Sequence, residues 1–228
     1  MSDDLFELDG ALGELAGISS SEASDAMYIL GLPDSVLDPS VRLLCGQYLL
    51  GRAVTIGRVP LPENASVADQ HPEFSLAIQE VIDTAPRGAV LVTAVQGVGT
   101  HANWGGNQAL RAKQVGMLGV VTDGAVRDIA AMPELGMTVF AQSCSPRSGQ
   151  NRFATTVKNQ PVVCAGVVIR PGDILLGDAD GVVVIAPQNA LAVAEKAKDI
   201  ALSEKKMHAH INAGGTLKEA VQRYKVKR

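Results

Sequence analysis

The apolar residues of this chain follow two rhythms. In one they run almost unbroken: "GRAVTIGRVPL" from Gly51, "GAVLVTAVQGVG" from Gly88 and "LGVV" at 118–121 predict strands, and "GVVT" reads as a strand covered on both faces. In the other they return every three or four positions. "SSSEASDAMYIL" brings Ala23, Ala26, Met27 and Leu30 to one side, which predicts a helix capped by Ser20 or Ser21 and stopped by Gly31. "FSLAIQEVIDTA" at 74–85 predicts a second helix, after a loop "PENASVADQHPEF" bounded by Pro60, Pro62 and Pro72. In "HANWGGNQALRAKQVGM", Ala109, Leu110, Ala112 and Lys113 fit a third helix, opened by Gly105 and Gly106.

Strand, helix and strand joined by short links imply a parallel βαβ unit over 88–121. From Met137 the rhythm shortens. "MTVFAQSC", "PVVCAGVVI", "DILLGD" and "GVVVIAP", separated by turns such as "RPGD" and "DADG", predict antiparallel strands. An amphipathic stretch from Gln188 to Asn212 follows, and Gly214-Gly215 divides it from a short helix "TLKEAVQRY". No internal repeat interrupts the pattern, so the expectation is one mixed α/β domain over residues 1–228.

Composition narrows the function classes. A net charge of −4 leaves no broad cationic surface, so nucleic acid is not the expected partner; the basic tail "RYKVKR" reads as a solvated end. Three cysteines form neither a paired framework nor a CxxC site. Cys45 and Cys164, among apolar neighbours, are expected in the core, and Cys144 has no histidine near it in sequence to activate it. No uncharged apolar run reaches the roughly 18 residues of a membrane span, and no secretory pattern opens the chain. A cytoplasmic protein is expected.

In α/β sheets, ligands gather beyond the carboxyl ends of parallel strands, which places Asp123, Gly124, Arg127 and Asp128 at a candidate site. Arg127 offers a planar fork for a carboxylate or keto oxygen, and Asp128 offers hard oxygens for Mg²⁺ or Mn²⁺. The same pair also suits a structural ion pair, or a cap by Asp128 on the following "IAAM". Two glycines at a helix start let the amides of Gly106, Asn107 and Gln108 face an anion, or merely let the helix pack closely. His101 precedes this segment and could line the same cleft, whereas His71 lies in the polar loop. His208 and His210 lack the i, i+4 spacing of a zinc site. "DADG" lacks the further ligands of a calcium loop, and no nucleotide-binding loop or serine-hydrolase elbow is present.

These blocks, with "SDAM", "GRAVTI", "WGGNQALRAKQVGMLGVVTDGAVRD", "LGMTVFAQSCSPR" and "PGDILLGDADGVVVIAP", resemble the family of the regulator of ribonuclease activity A and the class II 4-hydroxy-4-methyl-2-oxoglutarate aldolases. The resemblance implies a swivelling β/β/α sandwich, with a mixed sheet and flanking helices, assembled as a homotrimer or homohexamer. The C-terminal helices over 188–228 are expected on or across the subunit interface. For the site it implies Arg127 and Asp128 as catalytic residues with the metal on Asp128. It also implies substrate held by Gly105, Gly106, Asn107, Gln108 and Arg127, and Glu204 reaching in from a neighbouring subunit. Where the aldolases carry an acid, this sequence has Gly106. The function implied is a lyase dependent on Mg²⁺ or Mn²⁺, an aldolase or decarboxylase of short 2-oxo acids such as 4-hydroxy-4-methyl-2-oxoglutarate or oxaloacetate, working through a pyruvate enolate. The alternative is a non-catalytic regulator that binds a ribonuclease or helicase.

Overall fold

The computed structural model describes residues 10–62 and 77–226. In chain order the elements are α1 (Gly10–Leu15), α2 (Ser20–Ile29), β1 (Arg42–Cys45), β2 (Leu49–Pro60), α3 (Ala77–Asp83), β3 (Ala89–Ala94), β4 (Ala102–Trp104), α4 (Gly106–Val115), β5 (Gly119–Val126) and α5 (Met132–Leu135). Then come β6 (Thr138–Cys144), β7 (Phe153–Lys158), β8 (Val162–Cys164), β9 (Val167–Ile169), β10 (Ile174–Asp178), β11 (Gly181–Ile185), α6 (Ala190–Asn212) and α7 (Leu217–Tyr224). The expected polar loop over 62–74, with His71, lies almost wholly outside the described residues.

One nine-stranded sheet runs β1-β6-β5-β3-β2-β10-β11, with β4 added to β5 and β7 to β2, while β8 and β9 form a separate hairpin. Its centre is parallel, because β2, β3, β5 and β6 are joined in turn by crossovers that carry α3, α4 and α5. This corrects the expected direction of "MTVFAQSC". The α5 turn returns the chain to the starting end, so β6 pairs parallel with β5 and antiparallel with β1. The expectation holds for β10, antiparallel to both β2 and β11, and for the hairpin.

Alternation along the strands divides the core. Leu91 of β3 packs with Ile78, Val81 and Ile82 of α3 and with Ala109 and Ala112 of α4 on one face. Val90 and Val92, pointing the other way, pack with Phe140, Cys164 and Ile169 beneath the hairpin. A further cluster joins α1, α2 and α6 to Ile174 and Leu176 of β10 and to Val183 and Ile185 of β11. Each such fully buried aliphatic side chain stabilises the fold by about 1.5–3 kcal/mol before entropy is counted. Cys164 is buried as expected, but Cys45 is only half-buried at the β1 edge. Before β1, Leu37 N–H donates to Val182 O and Val184 N–H donates to Ser35 O, both at 2.9 Å. One short stretch therefore lies along β11 before β1 joins the opposite edge, and the sheet is nearly closed.

Two local details differ from the sequence reading. The cap of α2 is Ser19, whose hydroxyl accepts from Glu22 N–H at 3.2 Å while the Glu22 carboxylate accepts from Ser19 N–H at 2.8 Å. Ser20 instead docks the helix, its N–H and hydroxyl donating to Asp178 at 2.7 and 2.6 Å. Secondly, β5 does not end at Val121 but continues through Thr122, Asp123 and Gly124 to Val126. Those polar residues stay in the strand because their groups are satisfied there. Thr122 Oγ1 donates to Thr93 O at 2.7 Å, and the Asp123 carboxylate accepts from Val95 N–H at 2.7 Å and Gly97 N–H at 3.1 Å.

Candidate functional site

The long strand β5 delivers Arg127 and Asp128 to the start of α4. Strand β4 lies parallel to the end of β5, and Arg127 N–H donates to Trp104 O at 3.0 Å, so Gly105 faces the Arg-Asp pair directly. A side chain at Gly105 would not fit freely. A Cβ there would lie 3.0 Å from Asp128 Oδ2 and 3.1 Å from both Cγ and Nε of Arg127. Its backbone is fully extended, so the demand is for space and not for unusual dihedral angles.

Asp128 itself has a left-handed backbone (φ +58°), a region that Asp tolerates better than most residues. The bend turns its carboxylate onto α4, where Oδ2 accepts from Gly106 N–H at 3.0 Å and lies 3.6 Å from Arg127 Nε. Both side chains are open, at 43% and 51% exposure, so as an ion pair they stabilise the fold by only about 0–1 kcal/mol. Nor does the Asp128 side chain cap the 3₁₀ turn at Ile129–Ala131.

The helix start is arranged differently from the sequence expectation. Gln108 turns its side chain back, and its Oε1 accepts from Gly105 N–H at 2.9 Å. With the Gly106 amide given to Asp128, the amides of Asn107 and Gln108 remain as donors for a ligand anion. For a divalent ion, the cleft provides one carboxylate, Asp128, and among the described residues no three acidic, histidine or cysteine side chains converge. This donor set fits a hard cation that keeps most of its water, as Mg²⁺ and Mn²⁺ do, and not a fully protein-ligated metal.

These groups line one cleft of about 650 Å³, which Ser148, Gly149 and Phe153 also line. Gly105, Gly106, Asn107, Gln108, Arg127 and Asp128 all contribute to it. Asp123 and Gly124, expected at the site, do not; they are buried in β5, where satisfied hydrogen bonds keep them. His101 is not among the lining residues and pairs locally with the Thr100 hydroxyl at 3.1 Å. Glu204 lies exposed on α6 and does not line the cleft of its own chain. The sequence reading missed Arg58, Asn103 and Phe153. For Arg58 a signal existed, a cation inside the apolar run "GRAVTIGRVP", which also holds Arg52.

Comparison with known proteins agrees with this architecture. Residues 20–184 match the RraA-like family model described as Aldolase/RraA. An uncharacterized protein of Methanocaldococcus jannaschii is 38% identical over 133 residues, 58% of this chain and 64% of its own length. A Halalkalibacterium halodurans protein with the provisional name 4-hydroxy-4-methyl-2-oxoglutarate aldolase is 37% identical over 124 residues, 54% of this chain and 59% of its own. The matches thus span less than two thirds of either relative. The crystal structure of Streptomyces coelicolor RraAS2, an unusual member of the RNase ES inhibitor RraA protein family, superposes with a TM-score of 0.78 at 27% identity, covering 89% of this chain and 98% of that one. With a family match over most of its length and a fold shared almost end to end with such a structure, the chain belongs to the RraA-like family.

Proposed function

We propose that the chain is a divalent-metal-dependent lyase, an aldolase or decarboxylase that breaks a carbon–carbon bond in a short 2-oxo acid such as oxaloacetate or 4-hydroxy-4-methyl-2-oxoglutarate. The observation that carries this reading is the convergence of Arg127, Asp128 and the open start of α4 on one cleft. The Arg127 guanidinium binds the substrate's 1-carboxylate in a planar fork, and the Asn107 and Gln108 amides orient the adjoining oxygens. Asp128 would hold Mg²⁺ or Mn²⁺, which supplies Lewis-acid polarisation of the keto oxygen when bound. Arg127 then stabilises the negative charge that reaches the C2 oxygen as the C3–C4 bond breaks and its electron pair moves toward C2. In decarboxylation C4 departs as carbon dioxide; in aldol cleavage the C4 hydroxyl gives its proton to solvent water as C4 departs as a carbonyl compound; in both, the pyruvate enolate then takes a proton from water at C3. In a homotrimer or homohexamer, Glu204, which is exposed on α6, would reach into a neighbouring copy's cleft.

The test is turnover of oxaloacetate and 4-hydroxy-2-oxo acids by the purified chain with Mg²⁺ or Mn²⁺, beside Asp128→Asn. Activity lost only in the variant supports the reading; no turnover together with no pyruvate binding contradicts it. A second reading, a regulator that binds a ribonuclease or helicase, draws on the likeness to RraAS2 and on Gly106 in place of an acid. Equal capture of such a partner by wild type and Arg127→Ala would favour it.

A further inference from the structure

The cleft contains a second cation that the site described above does not use. Arg58 lies near the end of β2, opposite Thr155 of β7, with its guanidinium carbon 5.1 Å from the centre of the Phe153 ring. Its Nε is buried, with no hydrogen-bond partner among the described residues. Burial pushes the guanidinium down from its ordinary value to about 10. The ring face of Phe153 attracts the positive charge but accepts none of its N–H groups in a planar fork. A half-buried guanidinium whose Nε has no partner among the described residues is costly, and a cleft wall is where a ligand anion offsets that cost.

Charge counting points the same way. Among the described residues, the charged side chains lining the cleft are Arg58, Arg127 and Asp128, two cations and one anion, and an ion held by Asp128 leaves the excess positive. Gln79, Ser148, Gln150 and Asn151, which also line it, are neutral hydrogen-bonding side chains. Such a lining complements a ligand with two separated negative groups. We propose that Arg58 is a specificity-determining residue that binds the carboxylate at the end of the substrate remote from its keto acid, so that the cleft selects 2-oxo diacids over 2-oxo monoacids. This inference rests on the 2-oxo acid reading of the site.

Two five-carbon probes that differ only at the far end, 2-oxoglutarate and 2-oxopentanoate, isolate the contribution of Arg58. Calorimetric titration into the Mn²⁺-supplemented chain is expected to show 2-oxoglutarate bound about ten- to a hundredfold more tightly, the difference one charged hydrogen-bonded pair makes. Arg58→Met, close in shape, abolishes that preference while binding 2-oxopentanoate as wild type does, and Arg58→Lys keeps part of it. Two results overturn the role of Arg58 and leave the 2-oxo acid reading standing: a wild-type chain that binds both probes equally, or a preference that survives Arg58→Met. Equal weakening of both probes in Arg58→Met, with a lowered Tm, assigns Arg58 to structure and also overturns the proposal. If wild type binds neither probe nor pyruvate, the 2-oxo acid reading fails and this inference falls with it.

Discussion

The backbone N–H of Gly106 donates to Asp128 Oδ2 at 3.0 Å, tying the first residue of α4 to the carboxylate that leaves β5. The bond fixes one carboxylate oxygen and leaves the open side of the cleft to ligands. It also defines what a side chain at this position would do.

A Cβ at Gly106 would sit in ordinary contact with Asp128, 3.5 Å from Oδ2 and 3.6 Å from Cβ. Gly106→Asp is therefore tolerated, and its charge suits a helix N-terminus. It restores the acid that the family resemblance implies there. Mn²⁺ affinity is expected to rise about tenfold, the size of effect that groups supporting a metal ligand commonly have. Calorimetry of the two proteins measures it, and unchanged affinity would argue against an ion at Asp128.

Gly105→Ala acts oppositely. The added methyl enters the space 3.0–3.1 Å from Asp128 Oδ2 and Arg127 Nε, so the pair must move by tenths of an ångström or more. Turnover of oxaloacetate is expected to fall by about 10–100-fold, since small misplacements of reacting groups have that cost. The Tm stays close to wild type because the pair is exposed and contributes little to stability. Parallel kinetics and thermal melts separate the two effects.

How legible all this is in the sequence depends on what each residue's neighbours contribute. Helix α4 and the parallel β3–β5 pair follow from local pattern, since their apolar periods and the paired glycines act within a few residues. Thr122-Asp123-Gly124 reads as a turn because polar residues and glycine end most strands. Here amides from a different part of the chain, Val95 and Gly97, satisfy Asp123 and hold it inside β5. Gly124 is required for a related reason, as a Cβ would collide with Val95 and Asn103. The direction of β6 was hidden in the four residues of α5, too few to show a helical period. Arg58 could not be placed because its surroundings come from β7, a strand the sequence reading did not separate.

Asp123 predicts a pH effect. Burial raises its carboxyl above the ordinary value, and the Val95 and Gly97 amides offset this only in part. The folded chain therefore holds this proton to higher pH than the unfolded chain does. Between the ordinary and raised values the folded state binds more protons, so this contribution to stability falls as pH rises through that window. Asp123→Asn removes this dependence but turns an amide N–H toward a backbone N–H, at a cost of about 1–3 kcal/mol. Urea unfolding as a function of pH reads both.

Asp178 has the opposite sign. Burial pushes its carboxyl up, but hydrogen bonds from the Ser20 hydroxyl and N–H and from Asp180 N–H outweigh it and hold the group below its ordinary value. Its stabilisation is complete above the unfolded carboxylate value and is lost as pH falls through the lower folded one. Asp178→Ala is expected to destabilise the fold at neutral pH by about 1–3 kcal/mol by releasing α2 from β10. The gap from wild type narrows in acid, and thermal melts across this pH range record it.

The central claim is that Arg127 and Asp128 activate the carbon next to a 2-oxo group. Deuterium exchange into the methyl group of pyruvate, followed by proton NMR with Mg²⁺, tests it without requiring the natural substrate. The account predicts exchange catalysed by the wild-type chain and slowed about 100-fold or more in Asp128→Asn and Arg127→Gln. Exchange no faster than with Mg²⁺ alone, or undiminished in Asp128→Asn, would contradict it.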